Sequence, residues 1–292
     1  MAEQLTTKEV AAYLRISERR VYELVRRGAI PCTRVTGKWL FPRALIDRWL
    51  AAHLETEAPE PARPPDVLAG SDDPLLAWGV AACESGLAVR AGGSLDGLRQ
   101  VEQGRAAAAG LHIPEVGRGF NTGSVAASAA ARGCVLITWA WRRQGLVLPP
   151  GNPDGVTGLA DVVARRLPII RRQRNAGSDI LLTRLLDALP EGSGGPRTVA
   201  AGAHDERAVA RAVLTGRARA GVAVEAVARE LGLAFVPLAW ERFDLLLDRR
   251  AYFGPPLQTL LTFAHGDACA REAGRLGGYD RSELGAVQWV GP

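Results

Sequence analysis

Three turns in this 292-residue chain set small hydroxyl residues where an extended apolar run gives way to an amphipathic helix: "VLAGSDDPLL" with Ser71 and Asp72, "AVRAGGSLDGL" with Ser94, and "IIRRQRNAGSDILL" with Ser178. Glycine in such a turn lets the backbone approach a ligand and the serine hydroxyl donates. The first turn of the helix adds unpaired N–H groups at the positive end of its dipole. A single turn of this kind carries little weight, since plain N-capping explains any one serine equally well. Three of them converging at the carboxyl ends of parallel strands describe a cleft that holds an anion or a small polar molecule.

Other candidates surround these turns. Arg172 and Arg174 follow the apolar run "LPII" on alternate positions and so share one side of a strand end, where they would bind ligand or pair across the cleft. Arg171 is expected to be solvated. Asp179 puts an acid into the same loop, which disfavours a doubly charged anion unless Arg172 or Arg174 neutralises it. His112 and His204 stand where a strand gives way to a loop, a position that lines a cleft, although a structural histidine is the commoner case. Asn121 in "GFNTGS" and Glu225 in "GVAVEAVA" occupy further loop-to-helix positions, Glu225 as a complement to a cationic group or as a helix cap. The "WAW" at 139–141 is expected to pack at a crossover of the chain, not to form an aromatic cage. Catalysis finds no support: Gly-x-Ser-x-Gly, Gly-x-x-x-x-Gly-Lys and His-Glu-x-x-His are all missing from the sequence, and no enzyme activity, cofactor or metal is expected.

The elements that must position these residues fall into two parts. With 47% hydrophobic and 23% charged residues the chain is an ordinary globular one, and its apolar runs all stop short of the roughly 18 residues that span a bilayer. No membrane association and a cytoplasmic location are expected. Cys32, Cys83, Cys134 and Cys269 lack metal-ligand spacing and read as small buried hydrophobes. The net charge of +5 is not spread evenly: residues 1–50 hold ten Lys/Arg against five Asp/Glu, and the rest of the chain carries 26 of each. A phosphate-binding surface leaves such a localised footprint. Between the parts, "AAHLETEAPEPARPPD" reads as a Pro-rich tether over 51–66.

Within residues 1–50, Thr6 and Glu9 stand in the relation of a capping box, and Val10, Ala11 and Leu14 follow on one helical face. Ser17 caps a second helix, whose inward stripe is Val21, Leu24 and Val25 and which Gly28 ends. Two helices joined by so short a turn form a helix-turn-helix, whose second helix enters the major groove of double-stranded DNA. Arg19 and Arg20 are placed to reach base edges. Arg26, Arg27, Arg34 and Lys38 are placed to contact phosphates, and Tyr22 either contacts DNA or packs beneath the wing. "CTRVTGKWLF" alternates around Thr36-Gly37 as a hairpin wing, with Trp39 or Phe41 closing the small core. From Leu5 to Leu50 the stretch resembles the winged helix-turn-helix modules of excisionases and MerR-type regulators, through its Leu-Thr-x-x-Glu-Val-Ala opening, Ile-Ser turn, "VYELVRRG" and Gly-Lys-Trp wing.

Most of residues 67–291 resembles the two-lobed, periplasmic-binding-protein-like (type 2) domain found on cytoplasmic regulators. The motifs that carry the resemblance include "AGSDDPLL", "GSLDGLRQVEQGRAAAAGLHI", "RQRNAGS" and "LGGYDRSELG". The resemblance implies sensing of a small anion, molybdate or tungstate being the familiar proposals. The loop of such relatives reads Arg-Gln-Arg-Gly-Ser-Gly-Thr-Arg, whereas this chain has Asn175, Ala176, Gly177, Ser178 and Asp179 after Arg174. One hydroxyl and one arginine are replaced and an acid is added, so a zwitterion or another small polar metabolite fits better than a bare oxyanion.

The expected fold is therefore α/β, with a winged helix-turn-helix over 1–50, the linker over 51–66 and a two-lobed domain over 67–292. The first lobe would take about 67–145 and 238–292, and the second about 146–237. The expected function is a one-component, homodimeric transcription regulator that binds a DNA operator and a small anionic or polar effector. Two alternatives stand beside it: an excisionase-like architectural DNA-binding protein whose large domain serves assembly, and an enzyme of anion or cofactor metabolism.

Overall fold

The computed structural model describes residues 4–34, 37–53, 63–115, 117, 119–128, 133–173, 176–190, 195–200 and 202–291. The chain divides into two compact units, Met1–Ala62 and Arg63–Pro292. Most of the Pro-rich tether lies outside the described residues.

In the first unit the order is β1 (Gln4–Thr6), α1 (Thr7–Leu14), α2 (Glu18–Arg26), β2 (Thr33–Arg34), β3 (Trp39–Pro42) and α3 (Arg43–Ala52). The capping box forms: Thr6 Oγ1 accepts from Glu9 N, and the Glu9 carboxylate accepts from Thr6 N at 2.8 Å. Ser17 caps α2 by accepting from Arg20 N at 3.3 Å, so Ser17→Ala should cost about 1 kcal/mol of the unit's stability in a denaturant titration. At the end of α2, Gly28 takes φ +62°. That left-handed turn lets Ala29 N donate back to Leu24 O, and a side chain there would be strained. The sheet runs β1-β3-β2, antiparallel throughout. Phe41 is fully buried with Val10, Val21 and Ile46, and half-buried Trp39 packs at the edge of this core. Thr36, expected in the turn between β2 and β3, lies outside the described residues.

The second unit opens with β4 (Val67–Gly70), α4 (Pro74–Ala82), β5 (Ala88–Ala91), α5 (Ser94–Glu102), β6 (Ala108–Leu111), α6 (Thr122–Ala126) and the long β7 (Cys134–Leu148). It continues through α7 (Leu159–Ala164), β8 (Pro168–Ile170), α8 (Gly177–Asp187), β9 (Arg197–Thr198), α9 (Glu206–Leu214), β10 (Ala220–Val224) and α10 (Glu225–Glu230). A second long strand, β11 (Ala234–Asp248), leads to α11 (Arg249–Tyr252), α12 (Pro255–His265), α13 (Asp267–Leu276), β12 (Tyr279–Asp280) and β13 (Val287–Val290).

Strand order is β5-β4-β6-β11-β7-β10-β8-β9. The short strands pair in parallel, as the alternation of strands and helices predicts: β4 with β5 and β6, and β8 with β9 and β10. The sheet as a whole is mixed, because β7 and β11, each 15 residues long, pair antiparallel with each other and with β10 and β6. Their length has a consequence. The early half of β7 and the late half of β11 complete one lobe with β4–β6, and the other halves complete a second lobe with β8–β10. One apolar cluster, including Leu75, Trp139 and Phe243 from the first lobe and Val209 and Val224 from the second, runs through the junction. Cys134 and Cys269 are buried as expected, whereas Cys32 and Cys83 are half-buried. Among the described residues no helix is long and apolar enough to cross a membrane.

Candidate functional site

On the first unit, α2 turns Val21 inward and leaves Arg19, Arg20, Tyr22, Arg26 and Arg27 exposed. Arg19 is 90% exposed, held loosely 3.7 Å from Glu23, while Arg20 Nη1 donates to Glu23 at 2.8 Å. Tyr22, left open between DNA contact and packing, is 45% exposed and lines a groove with Arg19, Val25, Arg26 and Trp39. Across that groove the Arg34 guanidinium lies over the Trp39 ring, and Lys38 is exposed beside it. An array of exposed cations around one capped helix is suited to phosphates and base edges.

In the second unit the three turns converge at the junction of the lobes. Ser71 follows β4 and Ser94 opens α5, and their hydroxyls meet at 2.9 Å. His112 N donates to Ser94 Oγ at 3.0 Å, which ties the end of β6 to the same point. From the second lobe, α8 brings its amino end against His112: a Cβ added at Gly177 would drive into the imidazole ring and lie 2.7 Å from the His112 carbonyl oxygen. Ser178 is buried there, and its hydroxyl has no partner among the described residues. Gly177→Ala is therefore expected to push the lobes apart, to raise the radius of gyration in solution scattering, and to cost about 1–3 kcal/mol of stability.

Beneath these turns lies a buried charge cluster. Arg142 and Glu241 stand opposite each other across the antiparallel pair of β7 and β11, and Arg142 Nε donates to Glu241 Oε1 at 2.5 Å. Arg142 is wholly buried; its Nη1 donates to Asp73 Oδ2 at 3.1 Å, and its Nη2 lies 3.8 Å from Glu206. Its guanidinium also stacks on Phe243. Glu241 contacts the His112 ring at 3.1 Å, and Gln144 Nε2 donates to both Glu206 and Glu241. Glu206 in turn accepts from Val224 N, and Tyr279 donates to Asp73 at 2.8 Å. Three carboxylates thus face one guanidinium. Burial alone would raise the Glu241 carboxyl, but Arg142 and then His112 outweigh it and hold it at about 2. Burial also pushes Asp72 upward, followed by the neighbouring Asp73, although Arg207 of α9 reaches to 3.8 Å from it across the lobes.

Several expected residues are engaged elsewhere. Arg171, expected to be solvated, donates to Asp179 at 2.7 Å and to Thr183, and so it neutralises the loop acid. Parallel pairing continues past Ile170, with Arg172 bridged to Ala203, so alternation sets Arg171 on the side opposite Arg172, and there it meets Asp179 of α8 and not solvent. Arg172 bonds Gln173 and the His204 carbonyl within its own lobe, and Arg174 lies outside the described residues. His204 is exposed. Asn121 is buried inside the first lobe, its amide committed to Ile113 N, Leu111 O and Asp244. The Glu225 side chain does not cap α10; it complements cations of the chain itself, pairing with Arg143 and Arg229. Of the "WAW", Trp139 packs in the core as expected. Trp141 instead lines an inter-lobe cavity with Phe120 and Trp240. Sequence reading missed Arg142, Gln144, Glu206, Glu241 and Asp73, and the available signal was a charge of each sign set midway in two long apolar runs.

A family model for a PBP superfamily domain matches residues 81–265, more than half of the chain. The chain belongs to the PBP superfamily. A model for a helix-turn-helix domain matches residues 5–54. This PBP superfamily member is similar to the uncharacterized protein YvgK of Bacillus subtilis (strain 168), 26% identical over 261 residues and covering 83% of this chain and 84% of that one. Among solved structures it resembles a Clostridium perfringens protein named for phosphate ABC transport and holding bound phosphate, with a TM-score of 0.54 and 9% identity over 72% of this chain and 96% of that one. The tungstate ABC transporter protein of Geobacter sulfurreducens gives 0.50 and 12% over 70% and 95%. A variant of OxyR from Corynebacterium glutamicum gives 0.50 and 12% over 93% and 88%. At such identities these likenesses are of fold.

Proposed function

We propose that the protein is a one-component transcription regulator, a binder and not a catalyst, acting in the cytoplasm. Its winged helix-turn-helix reads an operator through Arg19 and Arg20, and its two-lobed unit takes a small effector between the lobes. The observation that carries this reading is the exposed arginine face of capped α2 in the same chain as a two-lobed PBP unit. Paired half-sites would call for a homodimer. For the effector to control DNA affinity it must favour one lobe arrangement by its own differential binding.

The class of effector is less open than the turns alone suggest. The amino end of α8 with the unpartnered Ser178 favours negative charge. The excess of buried carboxylates around Arg142 opposes a bare doubly charged oxyanion at the same place. A small molecule with polar groups of its own fits both. The test is a thermal-shift screen of the full chain against molybdate, tungstate, sulfate, phosphate, small carboxylates and amino acids, followed by operator binding with each hit. A compound that raises the melting temperature and changes operator affinity supports a sensor. Operator affinity indifferent to every stabilising compound would favour the architectural reading.

A further inference from the structure

The lobe junction holds a second feature that the serine turns do not explain. A cavity of about 340 Å³ opens between the lobes, walled by Phe120 from the first lobe, Leu181 and Arg184 from α8 of the second, and Trp141, Trp240 and Glu241 from the crossing strands. The Phe120 and Trp141 rings meet edge to face at 5.8 Å. Trp240 is 47% exposed, with the Arg143 guanidinium 5.4 Å from its ring. Three aromatic side chains and a leucine make a lining that stacks on planar rings and gives little to a compact hydrated ion. The volume is at the small end of ligand pockets, which run from roughly 300 to 1,000 Å³, and suits a single ring with one substituent.

Hydrogen-bonding capacity on the wall decides the charge of that substituent. Glu115 already accepts from Gly123 N, Ser124 N and Ser124 Oγ. The Glu241 oxygens are engaged by Arg142, Gln144 and His112. Arg184 is different: Nη2 donates to Pro114 O at 2.9 Å and Nη1 to Glu115 O at 3.3 Å, which uses two of the five N–H groups of a guanidinium. Among the described residues of the wall, it is the charged group with capacity left for a ligand, and its fork matches a carboxylate.

We infer that this cavity is a binding site for a small aromatic carboxylate, whose ring packs against Phe120, Trp141 and Trp240 and whose carboxylate meets Arg184. The inference rests on the sensor reading and narrows its effector. Because the walls come from both lobes and Arg184 already spans them through Pro114 O and Glu115 O, an occupant held by Arg184 and Phe120 adds to that link and biases the lobe arrangement.

Benzoate is the probe, titrated into the full chain by calorimetry and thermal shift beside benzylamine, cyclohexanecarboxylate and molybdate. Benzoate is expected to bind saturably, at least tenfold tighter than the other three. Trp240→Ala, at a half-exposed position that leaves the core intact, should weaken benzoate at least tenfold, as should Arg184→Gln. Equal or tighter binding of benzylamine or molybdate, no binding of benzoate up to about 10 mM, the upper end of a weak-ligand titration, or unchanged affinity in both variants would overturn the inference. Operator binding by the same preparations keeps the two readings apart. If DNA is bound specifically and benzoate is not, only the ligand assignment falls; if specific DNA binding is missing, the regulator reading falls on its own.

Discussion

Arg142→Met is expected to destabilise the large unit by about 3–5 kcal/mol at neutral pH, measured by urea unfolding, because it leaves Asp73, Glu206 and Glu241 buried without their shared cation. The pH profile distinguishes this from simple loss of packing. In the wild-type protein the Glu241 carboxyl is held down to about 2 from an ordinary value of 4.5. A depressed carboxyl contributes stability that is complete above its ordinary value and is lost as pH falls through the depressed one, about 3 kcal/mol in all. Burial pushes Asp244 up to about 6 and Asp72 upward as well, so the wild type already gains some stability as pH falls from neutral. Without Arg142 the cluster's carboxylates also favour protonation in the folded state, and the variant should gain distinctly more over the same range. A variant with wild-type stability and a wild-type pH profile would show that the guanidinium does not hold the cluster together.

The second large effect is on DNA. Arg19→Ala with Arg20→Ala should weaken specific operator binding by about 1–3 kcal/mol for each arginine–base pairing that the substitution removes, measured by fluorescence anisotropy at fixed salt. Binding to unrelated duplexes should fall much less. Arg19 is the freer of the two, since Arg20 must first leave Glu23, to which it donates at 2.8 Å, and Arg19→Ala alone should account for the larger part. Operator affinity unchanged in the double variant would remove α2 from the role of recognition helix.

The two units are unequally legible in the sequence, for a physical reason. The DNA module is built from local rules: Thr6 and Glu9 cap α1, Ser17 caps α2 and Gly28 closes it in the left-handed region, all within a few residues of each other. In the large unit the serine turns are also local, and Ser71, Ser94 and Ser178 do come to the lobe junction. The cluster beneath them is not local. Arg142 and Glu241 are 99 residues apart and are joined by strand register alone. Arg171 reads as solvated in the sequence because nothing local shows that α8 places Asp179 on its side of the chain. Trp141 shows no cavity-lining signal in the sequence because Phe120 and Trp240 reach it only through tertiary structure.

The most direct test of the regulator account couples the two units without needing the effector. Duplexes selected from a random pool by the full chain supply the operator, and its affinity is then measured for wild type and for Gly177→Ala. That substitution wedges α8 against His112, far in sequence from every residue proposed to contact DNA. If the lobe arrangement governs the DNA module, operator affinity changes by about fivefold or more, in keeping with couplings of roughly 1–3 kcal/mol. Identical affinity, with scattering showing the lobes displaced, would mean that the large unit does not control DNA binding.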